Sequence, residues 1–148
     1  MKPDAPFVLE TVAAKLMLEL VPQMQPPFLQ GTVTVVGLML TMLREEWDRV
    51  AQRRVEENAA VRQIFRGAAP HLADADLRQR LLEAAESRES SLRISDLDAA
   101  NEGLRRLLIE LQAHVEAQPG TEARRIEAEI WQELVASTER RRFSIAPF

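Results

Sequence analysis

A chain of 148 residues with 46% hydrophobic and 28% charged residues has the length and composition of one folded domain. Five glycines, no tyrosine and only 5% aromatics argue against a β-sandwich or barrel. The absence of cysteine excludes disulfides, thiolate metal sites and cysteine nucleophiles together.

The net charge is −4 and is spread evenly, with 8 basic and 9 acidic residues in Met1–Asp74 against 11 and 14 in the remainder. A nucleic-acid binder shows a basic stripe and a high pI, so no nucleic-acid partner is expected. The N-terminus carries Asp4 and Glu10 where a signal peptide has a basic region and an apolar run. A cytoplasmic location is therefore expected. The most apolar stretch, Phe28–Leu43, is interrupted by Gln30, Thr32, Thr34 and Thr41. It falls short of the roughly 20 residues of a spanning helix, so the expectation is a helix buried in a bundle and no membrane.

Period and punctuation predict five helices. The first covers about Pro6–Val21, with Leu9, Val12 or Ala13, Leu16 and Leu20 on one face and Pro22 as its stop. The second covers about Phe28–Arg66 without a proline and measures about 60 Å if continuous. Its seam is Val36, Leu40, Leu43, Trp47, Val50, Arg54, Glu57, Val61, Ile64 and Ala68, alternating four and three as in a coiled coil. The third of this helix nearest its start is apolar nearly all round and is expected to be buried. The half beyond Arg44 is amphipathic and expected to be more exposed. At the charged positions the helix either kinks near Gln52–Asn58 or rotates so that Ala51 and Val55 face inward.

The third helix covers about Asp74–Ser90, marked by Leu77, Leu81 and Ala84 or Ala85. The fourth starts at Ser95 as N-cap and continues through Leu97, Ala100, Leu104, Leu107 or Leu108, Leu111 and Val115. Pro119–Gly120 makes a tight turn, and Thr121 caps the fifth helix, lined by Ile126, Ile130, Leu134 and Thr138. Arg140–Arg141–Arg142 close it where cations favour the negative end of the dipole. The apolar tail Phe143–Phe148 is expected to pack on the body or on a second subunit. The prediction is a single all-α domain over 1–148. It is a bundle of about five helices with a very long second helix and an antiparallel hairpin of the last two.

Catalytic machinery is not evident. The glycines are isolated, so there is no phosphate-cradling loop, and no G-x-S-x-G occurs. Neither His71 nor His114 has the Glu three residues earlier that helical di-metal sites use. Glu110 and His114 stand at i, i+4 and read as a surface pair. No cofactor, no metal and no enzymatic activity are expected. Arg54 and Glu57 interrupt an apolar seam. They are either solvated by rotation of the helix, or sit at an interface or pocket wall where charge sets register or binds an anion. Met17, Met24, Met39 and Met42 gather in the apolar part and form either plain core or an adaptable pocket.

Phe7-Val8-Leu9, Val12-Ala13 and Leu20-Val21-Pro22, followed by a long helix from Phe28, resemble a group of uncharacterised bacterial helical domains. Those are often encoded beside acyl-CoA dehydrogenases and aminoglycoside-phosphotransferase-like kinases. The resemblance covers about the first third of the chain. It implies an accessory role near acyl-CoA metabolism and carries over no catalytic residues.

The leading expectation is a non-enzymatic protein acting by self-association, as a homodimer, or as accessory subunit to a partner enzyme. Trp47, Arg54, Glu57, Val61, Ile64 and Phe65 are the candidate interface or pocket. The alternative is a bundle that holds a small apolar or acyl ligand between its N-terminal helices, and a third is an enzyme whose site is not legible.

Overall fold

The computed structural model describes residues 4–144. It is all-α, with no strand among the described residues. Helix α1 is Ala5–Ala14, α2 Pro27–Ala68, α3 Ala75–Glu86, α4 Ile94–Glu116 and α5 Thr121–Arg140. The described residues divide into two compact units, one made of residues 4–50 and 143–144, the other of residues 51–142, and α2 contributes to both.

The long second helix is continuous. Its 42 residues span about 63 Å at 1.5 Å per residue, with no break at the charged seam positions. It ends in a 3₁₀ turn, Ala69–His71, at Pro70. Pro22 does not stop the first helix sharply. The chain passes from α1 into a π-helical segment, Lys15–Leu20, and a 3₁₀ turn, Val21–Gln23, that contains Pro22. Widening the turn before the proline is one way to accommodate a residue without an N–H.

In the first unit α1 and its π-helical continuation run against the N-terminal part of α2. Gly37 is the point of close approach. A Cβ there would stand 2.5 Å from Met17 Cγ. Arg44 Nε lies 3.2 Å from Glu10 Oε2, which fixes the antiparallel sense. Among the described residues of this unit only Ala13 and Val50 are buried apolar side chains with a Cβ.

The second unit holds the hydrophobic core. Val61, Ile64, Phe65 and Ala68 of α2 meet Leu77, Leu81 and Ala85 of α3, Leu104, Leu107, Leu108, Leu111 and Val115 of α4, and Ile126 and Ile130 of α5. Asp74 caps α3 by accepting from the Leu77 N–H at 3.0 Å. Two expected caps fall inside their helices, Ser95 two residues past the N-cap and Thr121 one residue past it. Arg93, not Ser95, stands at the N-cap of α4, and Gly120, not Thr121, at that of α5. Gly120 has φ of 145°, a backbone region that residues with a Cβ rarely enter. It turns the chain between α4 and α5, which pack as an antiparallel hairpin.

The expected burial pattern along α2 is reversed. The apolar stretch is the exposed part: Phe28, Leu29, Val35, Val36, Leu38, Met39 and Leu43 all face solvent. The amphipathic part beyond Arg44 is the one that enters the core. The first stretch is met by α1 and its continuation and leaves most of its apolar side chains in solvent, whereas the single apolar stripe beyond it gives α3, α4 and α5 a surface to close on.

Candidate functional site

Two features stand out, one in each unit. The first is a buried polar seam in the second unit, built on the charged interruption of α2. Glu57 is 2% exposed and therefore not solvated, contrary to the plain expectation from helix rotation. Its carboxylate is fully occupied. Oε1 accepts from Ser137 Oγ at 2.8 Å and from Arg141 Nε at 3.0 Å. Oε2 accepts from Arg141 Nη2 at 3.0 Å and from Arg54 Nη1 at 2.9 Å. Burial pushes the Glu57 acid upward, but the bonds from Arg141, Ser137 and Arg54 outweigh it and bring the pKa down to about 2. Arg54, partly buried, donates from Nε to Asp98 Oδ1 at 2.5 Å.

The seam continues one turn further along α2. Asn58 is wholly buried and accepts from Asn101 Nδ2 at 2.9 Å. Arg62 donates to Ser87 Oγ at 3.0 Å and to Glu89 Oε1 at 2.5 Å. Arg66 Nη2 reaches the Ala85 carbonyl at 2.7 Å. Together these bonds tie α2 to the end of α3, to the 87–93 connection, to the start of α4 and to the end of α5. With every lone-pair direction of Glu57 taken by a donor, the carboxylate is neither a free base nor an open ligand. It fixes the register of helices.

The second feature is the surface of the first unit. The most apolar 18-residue window of α2 has a mean hydropathy of 1.2 and only 6% of it is buried, so the helix is long and apolar enough to cross a membrane by length and composition. Its polar side chains are already satisfied within the chain. Thr32 Oγ1 donates to the Phe28 carbonyl, Thr34 to Gln30 and Thr41 to Gly37, at 3.1, 2.8 and 3.0 Å. Gln30 Nε2 donates to the Met24 carbonyl at 2.9 Å. The threonine hydroxyls bonded this way can enter an apolar contact without leaving a donor unpaired. Met17 lies against Gly37, while Met39 is exposed.

The six candidate interface residues separate. Trp47 is 61% exposed and belongs to the first unit. Arg54 and Glu57 form the ionic seam. Val61, Ile64 and Phe65 are corrected from interface to core: they are covered by α3, α4 and α5 of the same chain and need no second subunit. Arg141 was expected only to complement the α5 dipole, yet it is the main partner of Glu57. Glu110 pairs with Arg80 at 2.5 Å and His114 with Gln118, not with each other. His71 Nε2 lies 3.8 Å from Glu122 Oε2. In the tail, the Ser144 N–H and hydroxyl both donate to Glu45; Ile145, Pro147 and Phe148 lie outside the described residues.

Asn58, Asn101 and Ser137 were not singled out by sequence. A signal existed for two of them. Asn101 falls between Leu97 and Leu104 on the apolar stripe of α4, and Ser137 continues the Ile126–Ile130 stripe of α5. A polar residue inside a buried stripe requires a buried partner.

Among the described residues no three His, Asp or Glu gather into a metal-binding group. An open groove of about 500 Å³ in the second unit is lined by Ala60, Gln63, Gly67, Arg125, Glu129 and Ala136. Its charged residues are all paired: Arg125 with Glu129 and with the neighbouring Glu122, and Glu133 with Arg140. No protein-family model, curated protein or solved structure matches the chain.

Proposed function

We propose that this is a non-enzymatic cytoplasmic protein that works by association, and that its N-terminal unit is the element that associates. The supporting observation is the contrast between the units. One closes around its own core, while the other leaves Phe28, Val35, Val36, Met39 and Leu43 in water with almost nothing buried of its own. Each large apolar side chain left in water forgoes about 1.5–3 kcal/mol. A contiguous patch of this kind marks an interaction surface. The charged seam at Glu57 gives the second unit a fixed internal register of its own.

Native mass spectrometry of untagged protein from its own cells tests the reading. A complex of more than one polypeptide is expected. A bare chain near 16.8 kDa carrying an acyl or other apolar small molecule supports the alternative of a ligand held by the N-terminal helices. A bare chain with nothing bound removes both.

A further inference from the structure

We propose that residues 145–148 dock on α2 along the flank that carries Met42 and Leu38, so that the segment after Ser144 covers part of the chain's own apolar surface. Val36, Met39 and Leu43 follow a separate row of α2, three and four residues apart, and stay uncovered. Association through that row is neither required nor blocked.

The segment starts from a fixed point. The Ser144 N–H donates to both carboxylate oxygens of Glu45, at 2.9 and 3.0 Å, and its hydroxyl donates to Oε2 at 2.7 Å. These bonds from Ser144 hold the Glu45 acid below its ordinary range. Each is therefore a bond to an ionised acceptor, stronger than one between neutral groups.

The two directions that lead away from Glu45 along α2 differ in polarity. Residues three, four and seven positions further on are Asp48, Arg49 and Gln52. Residues three, four and seven positions back are Met42, Thr41 and Leu38. The Thr41 hydroxyl is already bonded to the Gly37 carbonyl at 3.0 Å, and Leu38 is exposed. Residues 145–148 lie outside the described residues and read Ile-Ala-Pro-Phe, without a charge. Such a segment finds apolar neighbours toward the start of α2 and polar ones toward its end. Pro147 brings no N–H to be stranded against an apolar surface.

Reach agrees with direction. Four extended residues span about 13 Å. Leu38 precedes Glu45 by about 10 Å along the helix axis. Any apolar body would gain by covering Leu38 and Met42, but this segment is already tethered beside them. With Ser144 fixed, its local concentration is on the order of millimolar or more, and only four residues remain to be ordered.

Disulfide trapping in the full chain tests the proposal. The sequence has no cysteine, so two introduced thiols have only each other. One variant joins Leu38→Cys to Pro147→Cys, which keeps Ile145 and Phe148. Its control joins Gln52→Cys to Pro147→Cys. Leu38 and Gln52 stand seven residues to either side of Glu45 and are both exposed, so a freely moving segment meets them equally and far-UV circular dichroism should be unchanged. Under mild oxidation the Leu38 variant should form its intramolecular disulfide at least about tenfold faster than the Gln52 variant. Adding Phe148→Asp to the Leu38 variant should abolish that advantage. Equal rates for the two variants overturn the proposal. An advantage indifferent to Phe148→Asp overturns it as well, since the Ser144 anchor alone would then account for the proximity. A disulfide formed between two chains, seen as a dimer on a non-reducing gel, gives the segment to a second copy and overturns it too.

Discussion

Arg141 grips Glu57 with a two-point fork, Nε on one carboxylate oxygen and Nη2 on the other, each at 3.0 Å, across 84 residues of sequence. Planar guanidinium and carboxylate groups match in this geometry, and an ammonium cannot reproduce it. Arg141→Ala is expected to lower stability by about 1–2 kcal/mol, less than for a wholly buried pair because Arg141 is 41% exposed. Arg141→Lys should recover only part of the loss. Urea unfolding followed by circular dichroism gives both values, and full recovery by lysine would show that charge alone matters.

The pH dependence follows from two carboxylates shifted in opposite directions. Glu57 is held at about 2 in the folded chain, below its ordinary 4.5. Its contribution is therefore present above pH 4.5 and is lost as pH falls toward 2. At 1.36 kcal/mol per pKa unit it amounts to about 3 kcal/mol. Glu133 is shifted upward, chiefly by burial, with Arg140 acting against that shift and Glu57 adding to it. Its contribution has the opposite sign: present below pH 4.5 and lost as pH rises through its folded value. Glu57→Gln should therefore destabilise at pH 7 and flatten the acid limb of the stability curve. Glu133→Gln should be neutral or stabilising at pH 7. Chemical denaturation across pH 3–8 reads both, and equal losses at pH 7 would contradict the assignment.

Gly37 and Gly31 lie six residues apart on α2 and should respond to alanine with opposite sign. A Cβ at Gly37 meets Met17 Cγ at 2.5 Å and Sδ at 2.9 Å, so Gly37→Ala must displace the π-helical segment or its methionine, at about 1–3 kcal/mol. Nothing lies within 4 Å of a Cβ at Gly31. Gly31→Ala gains helix propensity, up to about 1 kcal/mol. Hydrogen exchange across α1 and Lys15–Leu20 should quicken in the first variant only.

Gly120 is held at φ of 145° and ψ of 167°, a region essentially reserved for glycine. Gly120→Ala should cost about 1–3 kcal/mol, although nothing crowds its Cβ. Gly103→Ala, in the body of α4 and equally uncrowded, is the control and should not destabilise. Thermal melts of the two variants separate backbone strain from steric clash.

Helix positions were legible because proline, glycine and apolar period are local signals. A long second helix over about Phe28–Arg66 and the hairpin at Pro119–Gly120 could be read directly, whereas the helix's continuity past Arg54 could not. What could not be read was which part of α2 is covered. Phe28–Leu43 is apolar on every side, and that says only that water is a poor environment for it. It does not say which neighbour is available. Spacing puts Val61, Ile64 and Phe65 on the seam of α2 without saying what covers them, a second chain or the helices α3, α4 and α5. Those three helices cover the second part of α2, and the shortfall falls on the first. Spacing left Glu57 either solvated or at an interface or pocket wall, because along α2 it shows only Arg54 within reach. Ser137 and Arg141 come from another helix 80 and 84 residues away, and no spacing rule connects them.

The span between Glu57 and Arg141 also sets an order of events during synthesis. Domains begin to fold as the chain emerges, N-terminal parts first. Glu57 leaves the ribosome long before its guanidinium partner. Until α5 has been made, collapse of α2 onto α3 and α4 encloses a carboxylate that has Arg54 but not Arg141 as a cationic partner. A product cut short within α5 keeps most of the apolar core yet carries that poorly neutralised acid. Chains that end before Arg141 are therefore expected to lie closer to unfolding, and to be more open to proteolysis, than finished ones.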